Sequence, residues 1–146
     1  MTPPAALQFQ RAMPVLHITD MQRSLAFYRE NLGFSTSTWG EPPTFAIVQR
    51  GAVSLALAVT AKPPVVDRST WAAYIYVADV DAIHAELAAH GANAEQPETR
   101  PYNCRDFTID DPDGHALGIG QVLNPDPLGP GLSDRVGRDD ERDATP

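Results

Sequence analysis

Four histidines, one cysteine and 19 carboxylates are the first candidates in this chain for proton, metal or covalent chemistry, and their spacing limits what they can do together. His17, His84, His90 and His115 are widely separated in sequence. His17 falls on a short apolar strand. There an imidazole serves as a hydrogen-bonding anchor or general base, or else stays neutral against a neighbouring backbone carbonyl. His84 sits on a helical stretch beside Ala85 and Glu86 and is expected to face solvent. His90 lies in the last turn of that helix, where partial positive charge is favourable. His115 follows the turn Asp111-Pro112-Asp113-Gly114 and shares the parity of Leu117 and Ile119. Cys104 is the only cysteine, which excludes an intramolecular disulfide and a cysteine-based metal cluster. Its context does not suggest a nucleophile, and an inert, half-buried thiol is expected.

Binding chemistry is better represented. Trp39, Tyr74 and Tyr76 can stack on a planar ligand, each contact contributing on the order of 1 kcal/mol beyond burial. The plainer alternative is that they cap groove edges or touch a partner subunit. Strand parity leaves Phe45 either lining the same surface or lying beneath a helix. Asp106 and Thr108 are the polar candidates beside His17. Asp106 can meet a cationic ligand group, or pair with its neighbour Arg105 at the surface, an arrangement worth only ~0 to 1 kcal/mol.

Two helices must position these residues. The first is predicted from Asp20 to about Leu32: Asp20 is a suitable N-cap, Met21, Leu25, Tyr28 and Leu32 recur at helical spacing, and Gly33 ends it. The second is predicted from Asp79 to about His90, with Val80, Ile83 and Leu87 as its apolar stripe and Gly91 as terminator. The separations are 13 positions from Asp20 to Gly33 and 12 from Asp79 to Gly91, and each helix follows an apolar strand, MPVLHITD or WAAYIYVAD. The chain therefore reads as an internal duplication. After the first helix come FSTSTW, TFAIVQR and VSLALAV; after the second come a strand near Ala92 to Gln96, then CRDFTID and HALGIGQ.

Alternation assigns the faces. Val53, Leu55, Leu57 and Val59 share one side of their strand, as do Leu16 and Ile18, Ile75 and Val77, and Leu117 and Ile119. These should pack under the helices. The opposite sides carry Met13, Val15 and His17; Ala56 and Ala58; Ala72, Tyr74 and Tyr76; and Ala116, Gly118 and Gly120. Small residues beside rings leave room, and room beside rings suggests a ligand groove.

Composition sets the outer limits. The 146 residues, 42% hydrophobic and 21% charged, suit one globular domain. A net charge of −8 opposes binding to nucleic acid and anionic membranes and favours a cationic small molecule. No long apolar window and no leader-like amino-terminus are read, so a reducing cytoplasm is the expected setting. The domain is predicted over residues 1–121, with module one about 12–60 and module two about 70–121. Residues 122–146, with four Pro, three Gly and six acids against three Arg, are predicted to be a flexible tail. That tail carries −3, so the body retains −5.

The run VLHITDMQRSLAFYRENLGF, the following TFAIVQRG and the segment DPDGHALGIGQ resemble the vicinal-oxygen-chelate superfamily, which includes glyoxalase I, extradiol dioxygenases and bleomycin-resistance proteins. The resemblance implies an α+β fold of two βαβββ modules forming a curved mixed sheet around a groove, commonly completed in a homodimer. It also implies four metal-ligand positions, which fall here on Met13, Ala56, Ala72 and Gly118. None has a side chain that binds a divalent cation. His17 lies four residues from Met13, about 13 Å along an extended strand at ~3.3 Å per residue, and cannot join the same coordination shell. Ala12-Met13-Pro14-Val15-Leu16, Ser69-Thr70-Trp71-Ala72 and Arg105-Asp106-Phe107 are similar to the bleomycin-resistance branch, which binds its drug without a metal and whose proline helps the first strand cross to the partner subunit. The expectation is thus a homodimer without a cofactor that sequesters an aromatic, cationic compound and has no catalytic residue. His17, Trp39, Phe45, Ala56, Ala72, Tyr74, Tyr76, Asp106, Thr108 and Gly118 are its expected contacts. The alternative is a glyoxalase- or dioxygenase-like lyase, isomerase or oxygenase with an unusual metal site.

Overall fold

A computed structural model describes residues 2–124; residues 125–146, most of the segment predicted to be a tail, lie outside the described residues. The order of elements is β1 (Val15–Ile18), α1 (Met21–Ala26), β2 (Ser35–Trp39), β3 (Phe45–Arg50), β4 (Val53–Val59), β5 (Ala73–Tyr76), α2 (Val80–Ala89), β6 (Glu98–Thr99), β7 (Cys104–Asp110) and β8 (Ala116–Val122). The strands form two mixed four-stranded sheets, β1-β4-β3-β2 and β5-β8-β7-β6. In each, the first strand runs parallel to the last and the other pairs are antiparallel. This is the predicted βαβββ unit, made twice.

Local chemistry accounts for both helix starts. The Asp20 carboxylate accepts the Arg23 N–H at 3.1 Å, and the Asp79 carboxylate accepts the Ala82 N–H at 3.0 Å. Gly33 and Gly91 end the two helical segments at φ +73° and +79°, a conformation in which a Cβ is unfavourable. The first helix is not α-helical to its end, as predicted, but widens into a π turn over Phe27–Asn31. The Leu32 N–H reaches back to the Phe27 carbonyl. The extra residue of that turn explains why the first cap and terminator are one position further apart than the second pair.

The predicted strand at Ala92 to Gln96 is the main departure. Only an isolated bridge between Ala94 and Ile109 forms there, and the edge strand β6 begins later, at Glu98. Pro97 interrupts the segment because its nitrogen has no proton for the ladder.

One core serves both modules. Leu16, Ile18, Tyr28, Val48, Leu55 and Leu57 of the first module join Ile75, Val80, Leu87, Phe107, Ile109, Leu117 and Ile119 of the second in a single buried cluster. Burying each large apolar side chain contributes about 1.5–3 kcal/mol. The α2 residue His84 joins this packing instead of facing solvent. Its ring meets Phe107 edge-on at 5.1 Å. His90 has its Nδ1 2.8 Å from the Glu86 carbonyl and stays structural. His115 is buried in the β7–β8 connection, with Nε2 2.7 Å from the His17 carbonyl. Among the described residues, no helix is long and apolar enough to cross a membrane.

Candidate functional site

The sheets' inner faces, turned away from the helices, carry the candidate residues. Residues paired directly across strands share a face. In the first sheet, His17, Ala58, Phe45 and Trp39 therefore form one row, and Val15, Ala56, Ile47 and Ser37 form the next. Register settles what parity left open for Phe45: it lies with His17 and Trp39, its ring 5.8 Å from that of Trp39. Trp39 and Val15 are half exposed, at 51% and 52%. Ala56 is fully buried within the sheet.

In the second sheet, Tyr74, Gly118 and Thr108 form one row, and Tyr76, Gly120 and Asp106 the next. The glycines leave space that rings occupy. A Cβ on Gly118 would stand 2.7 Å from Cδ2 of Tyr74 and 2.9 Å from Nε1 of Trp71; one on Gly120 would collide with the Tyr74 hydroxyl. Tyr74 packs edge-on against Trp71 at 4.6 Å and Tyr76 at 5.1 Å, and Trp71 meets Tyr102 at 6.1 Å. Gly118 itself is thus covered by Trp71 and Tyr74, so an approaching molecule meets those rings first. Ala72 is exposed at the strand entrance and donates its N–H to the Ala116 carbonyl at 2.8 Å.

Asp106 is the post beneath this aromatic layer. It is 2% exposed and accepts hydrogen bonds from the hydroxyls of Tyr74 and Tyr102 and from Arg100 Nε. Burial, with help from neighbouring Cys104 and the bond to Asp106, pushes the Tyr74 phenol up; burial and then Asp106 do the same for Tyr102. Both phenols stay protonated and donate to the carboxylate. The surface pair of Arg105 with Asp106 does not form, because adjacent strand residues point to opposite faces. Arg105 turns instead to Asp81 at 3.0 Å.

Thr108 opens onto two adjoining hollows of about 310 and 260 Å³, which it shares with Arg68 and Ala116. Trp71 Nε1 lies 3.4 Å from the Thr108 hydroxyl, and an ion pair of Arg68 with Asp110 bridges the rim. Trp71, Tyr102, Arg100 and Arg68 thus also border this face, although the sequence did not point to them as contacts. Trp71, Tyr102, Arg100 and Arg68 lie outside β5–β8, where period-two counting gives no direction. The Trp71-to-Tyr74 spacing of two aromatics before a glycine-rich partner strand was the available signal.

The sequence pattern of the Glyoxalase/Bleomycin resistance protein/Dioxygenase superfamily matches residues 11–119. The chain belongs to that superfamily. No curated protein matches it in sequence. Among solved structures, it is similar to a glyoxalase-related enzyme from Clostridium phytofermentans (TM-score 0.66, 18% identity, covering 77% of this chain and 95% of that one). It is also similar to the bleomycin-binding protein of Streptomyces verticillus in complex with copper(II)-bleomycin (TM-score 0.62, 25% identity, 80% and 98% covered). A third is lactoylglutathione lyase from Agrobacterium tumefaciens (TM-score 0.61, 20% identity, 84% and 97% covered).

The superfamily includes metal-dependent members, so the donor set matters. Met13 precedes β1, Ala56 is buried in β4, Ala72 precedes β5 and Gly118 lies under Trp71 and Tyr74. Among the described residues, no three His, Cys, Asp or Glu side chains come together closely enough to hold a metal ion. These residues do not fit a chelated metal.

Proposed function

We propose that this superfamily member is a small-molecule binding protein that sequesters an aromatic, cationic compound without a metal, in grooves completed by a second copy of the chain. The observation that carries this reading is the aromatic layer of Trp71, Tyr74, Tyr76 and Tyr102, seated on Gly118 and Gly120 and anchored by buried Asp106. A layer held this firmly offers ring faces without the entropic cost of ordering them on binding. Opposite it in the dimer, the row of His17, Phe45 and Trp39 supplies a second wall. Half-exposed Val15, Trp39 and Tyr76 support that pairing, since they otherwise leave apolar surface in water. The net charge of −8 favours a cationic ligand.

Titration of the protein with bleomycin and a panel of planar cationic antibiotics, followed by the fluorescence of Trp39 and Trp71, is the direct test. Saturable quenching at a stoichiometry of one ligand per chain is expected. No response across the panel defeats the proposal. Stoichiometric nickel, zinc, iron or manganese in protein purified without chelator would favour a metal-dependent lyase, isomerase or oxygenase instead.

A further inference from the structure

The duplication gives the modules two equivalent junctions, and only one is filled. Counted from the capping aspartates, Tyr76 stands where His17 does, Ile83 where Ser24 does and Leu87 where Tyr28 does. The helix ends fix the last match independently. The Phe34 N–H bonds the Tyr28 carbonyl at 2.8 Å and the Ala92 N–H bonds the Leu87 carbonyl at 3.0 Å, each from the residue after the left-handed glycine.

At the first junction, the long β7–β8 turn folds over α1. The Tyr28 hydroxyl donates to Asp111 at 3.1 Å, the Thr19 hydroxyl to Asp113 at 2.6 Å, and the His115 imidazole sits 2.7 Å from the His17 carbonyl. Two rings fill the space. At the second junction, the β3–β4 turn is only Gly51 and Ala52, and it reaches α2 through Arg50, whose guanidinium grips Glu86 at 2.7 and 2.8 Å. It brings no ring, and Leu87 replaces the tyrosine. A cavity of about 460 Å³ remains, walled by Phe34, Val53, Ile75, Ile83 and Leu87, with Tyr76 at its edge. That volume is typical of small-molecule sites.

Arg50 and Asp79 also line the cavity, but the guanidinium is engaged by Glu86 and the carboxylate by the Ala82 N–H, so the polar group left open is a main-chain one. In the parallel pairing of β5 with β8, the Val77 N–H bonds the Gly120 carbonyl at 2.9 Å, which leaves the N–H and C=O of Tyr76 on the free edge of the sheet. The His17 carbonyl is placed the same way on β1, and it is the one that His115 meets. We propose that this second junction binds a small neutral aromatic molecule carrying one N–H or O–H donor. Its ring occupies the place that Tyr28 and His115 take at the other junction, and its donor bonds to the Tyr76 carbonyl. The site lies on the helix side of the sheets, whereas the rings of Tyr74 and Tyr76 contact each other on the inner face.

The test uses indole and toluene as probes and methyl carbon–proton NMR of the full chain. Indole is expected to shift the methyls of Ile75, Ile83 and Leu87 saturably, and toluene, which lacks the donor, to bind about tenfold more weakly. Ile83→Trp fills the cavity from within and Ala82→Phe covers it from an exposed rim position; each is expected to abolish the indole shifts, and Ala82→Phe keeps the test available if the larger change disturbs folding. No saturable shift at those methyls, or indole binding that survives in both variants, overturns the site. Equal affinity for indole and toluene overturns the role of the Tyr76 carbonyl.

Discussion

At the scale of single residues, Asp106 and the two glycines beneath Tyr74 matter most. Asp106→Ala leaves the half-buried phenols of Tyr74 and Tyr102 without their acceptor, and Arg100 with Glu98 alone. Thermal or urea unfolding should register a loss of about 3 kcal/mol, since hydrogen bonds to a charged group are worth ~1.5–3 kcal/mol each but are not additive here. Gly120→Ala forces the Tyr74 ring off Asp106, costing about 1–3 kcal/mol and weakening any ligand stacked on that ring. Asp111 behaves differently from a paired surface carboxylate. Burial raises its pKa above the ordinary 3.8 despite its bonds to Tyr28 and the backbone. A raised carboxyl favours the folded state when protonated, so its contribution is full below pH 3.8 and declines as pH rises through the folded value. Asp111→Asn should remove that decline, visible as a flatter stability–pH curve over the same range.

At the scale of elements, the caps and the turn contacts hold the modules in place. Asp79→Ala removes the acceptor for the Ala82 N–H and should cost about 1 kcal/mol of stability. The Arg50–Glu86 bridge ties the β3–β4 turn to α2. Its arginine holds the Glu86 carboxyl below the ordinary 4.5, so the stabilisation is present above pH 4.5 and is lost as pH falls through the depressed value. Both side chains are more than a third exposed, at 36% and 39%, and solvent screening limits the effect to about 0.5 kcal/mol. Glu86→Gln should therefore match the wild type in acid and fall slightly behind it at neutral pH. Most elements were legible in the sequence because each has its own periodicity. The π turn and the interrupted β6 region were less so. A single added residue barely alters helical spacing, and the weight of Pro97 depends on which neighbouring strand asks for its missing proton.

At the scale of the whole molecule, charge and exposed apolar surface lead to separate measurements. Binding of the proposed cationic ligand should weaken as ionic strength rises, because the Debye length shrinks to about 10 Å at 0.1 M and screens the long-range attraction. A calorimetric titration at two salt concentrations checks this. Trp39→Glu places a charge on the half-exposed inner face and should shift the proposed dimer toward monomer in sedimentation velocity. An unchanged sedimentation coefficient would place the subunit contact elsewhere.

The sequence alone determined the duplicated βαβββ plan, both capping aspartates and the buried stripes. These depend on residue type and local period, which the chain states directly. Only the tertiary structure decided that Asp106 props up the aromatic layer, that Phe45 joins His17 and Trp39, that His84 packs on Phe107, and that one module junction is filled while its twin is hollow. Those outcomes depend on cross-strand register and on how far each turn reaches across to the other module, and neither is encoded in any single stretch of residues.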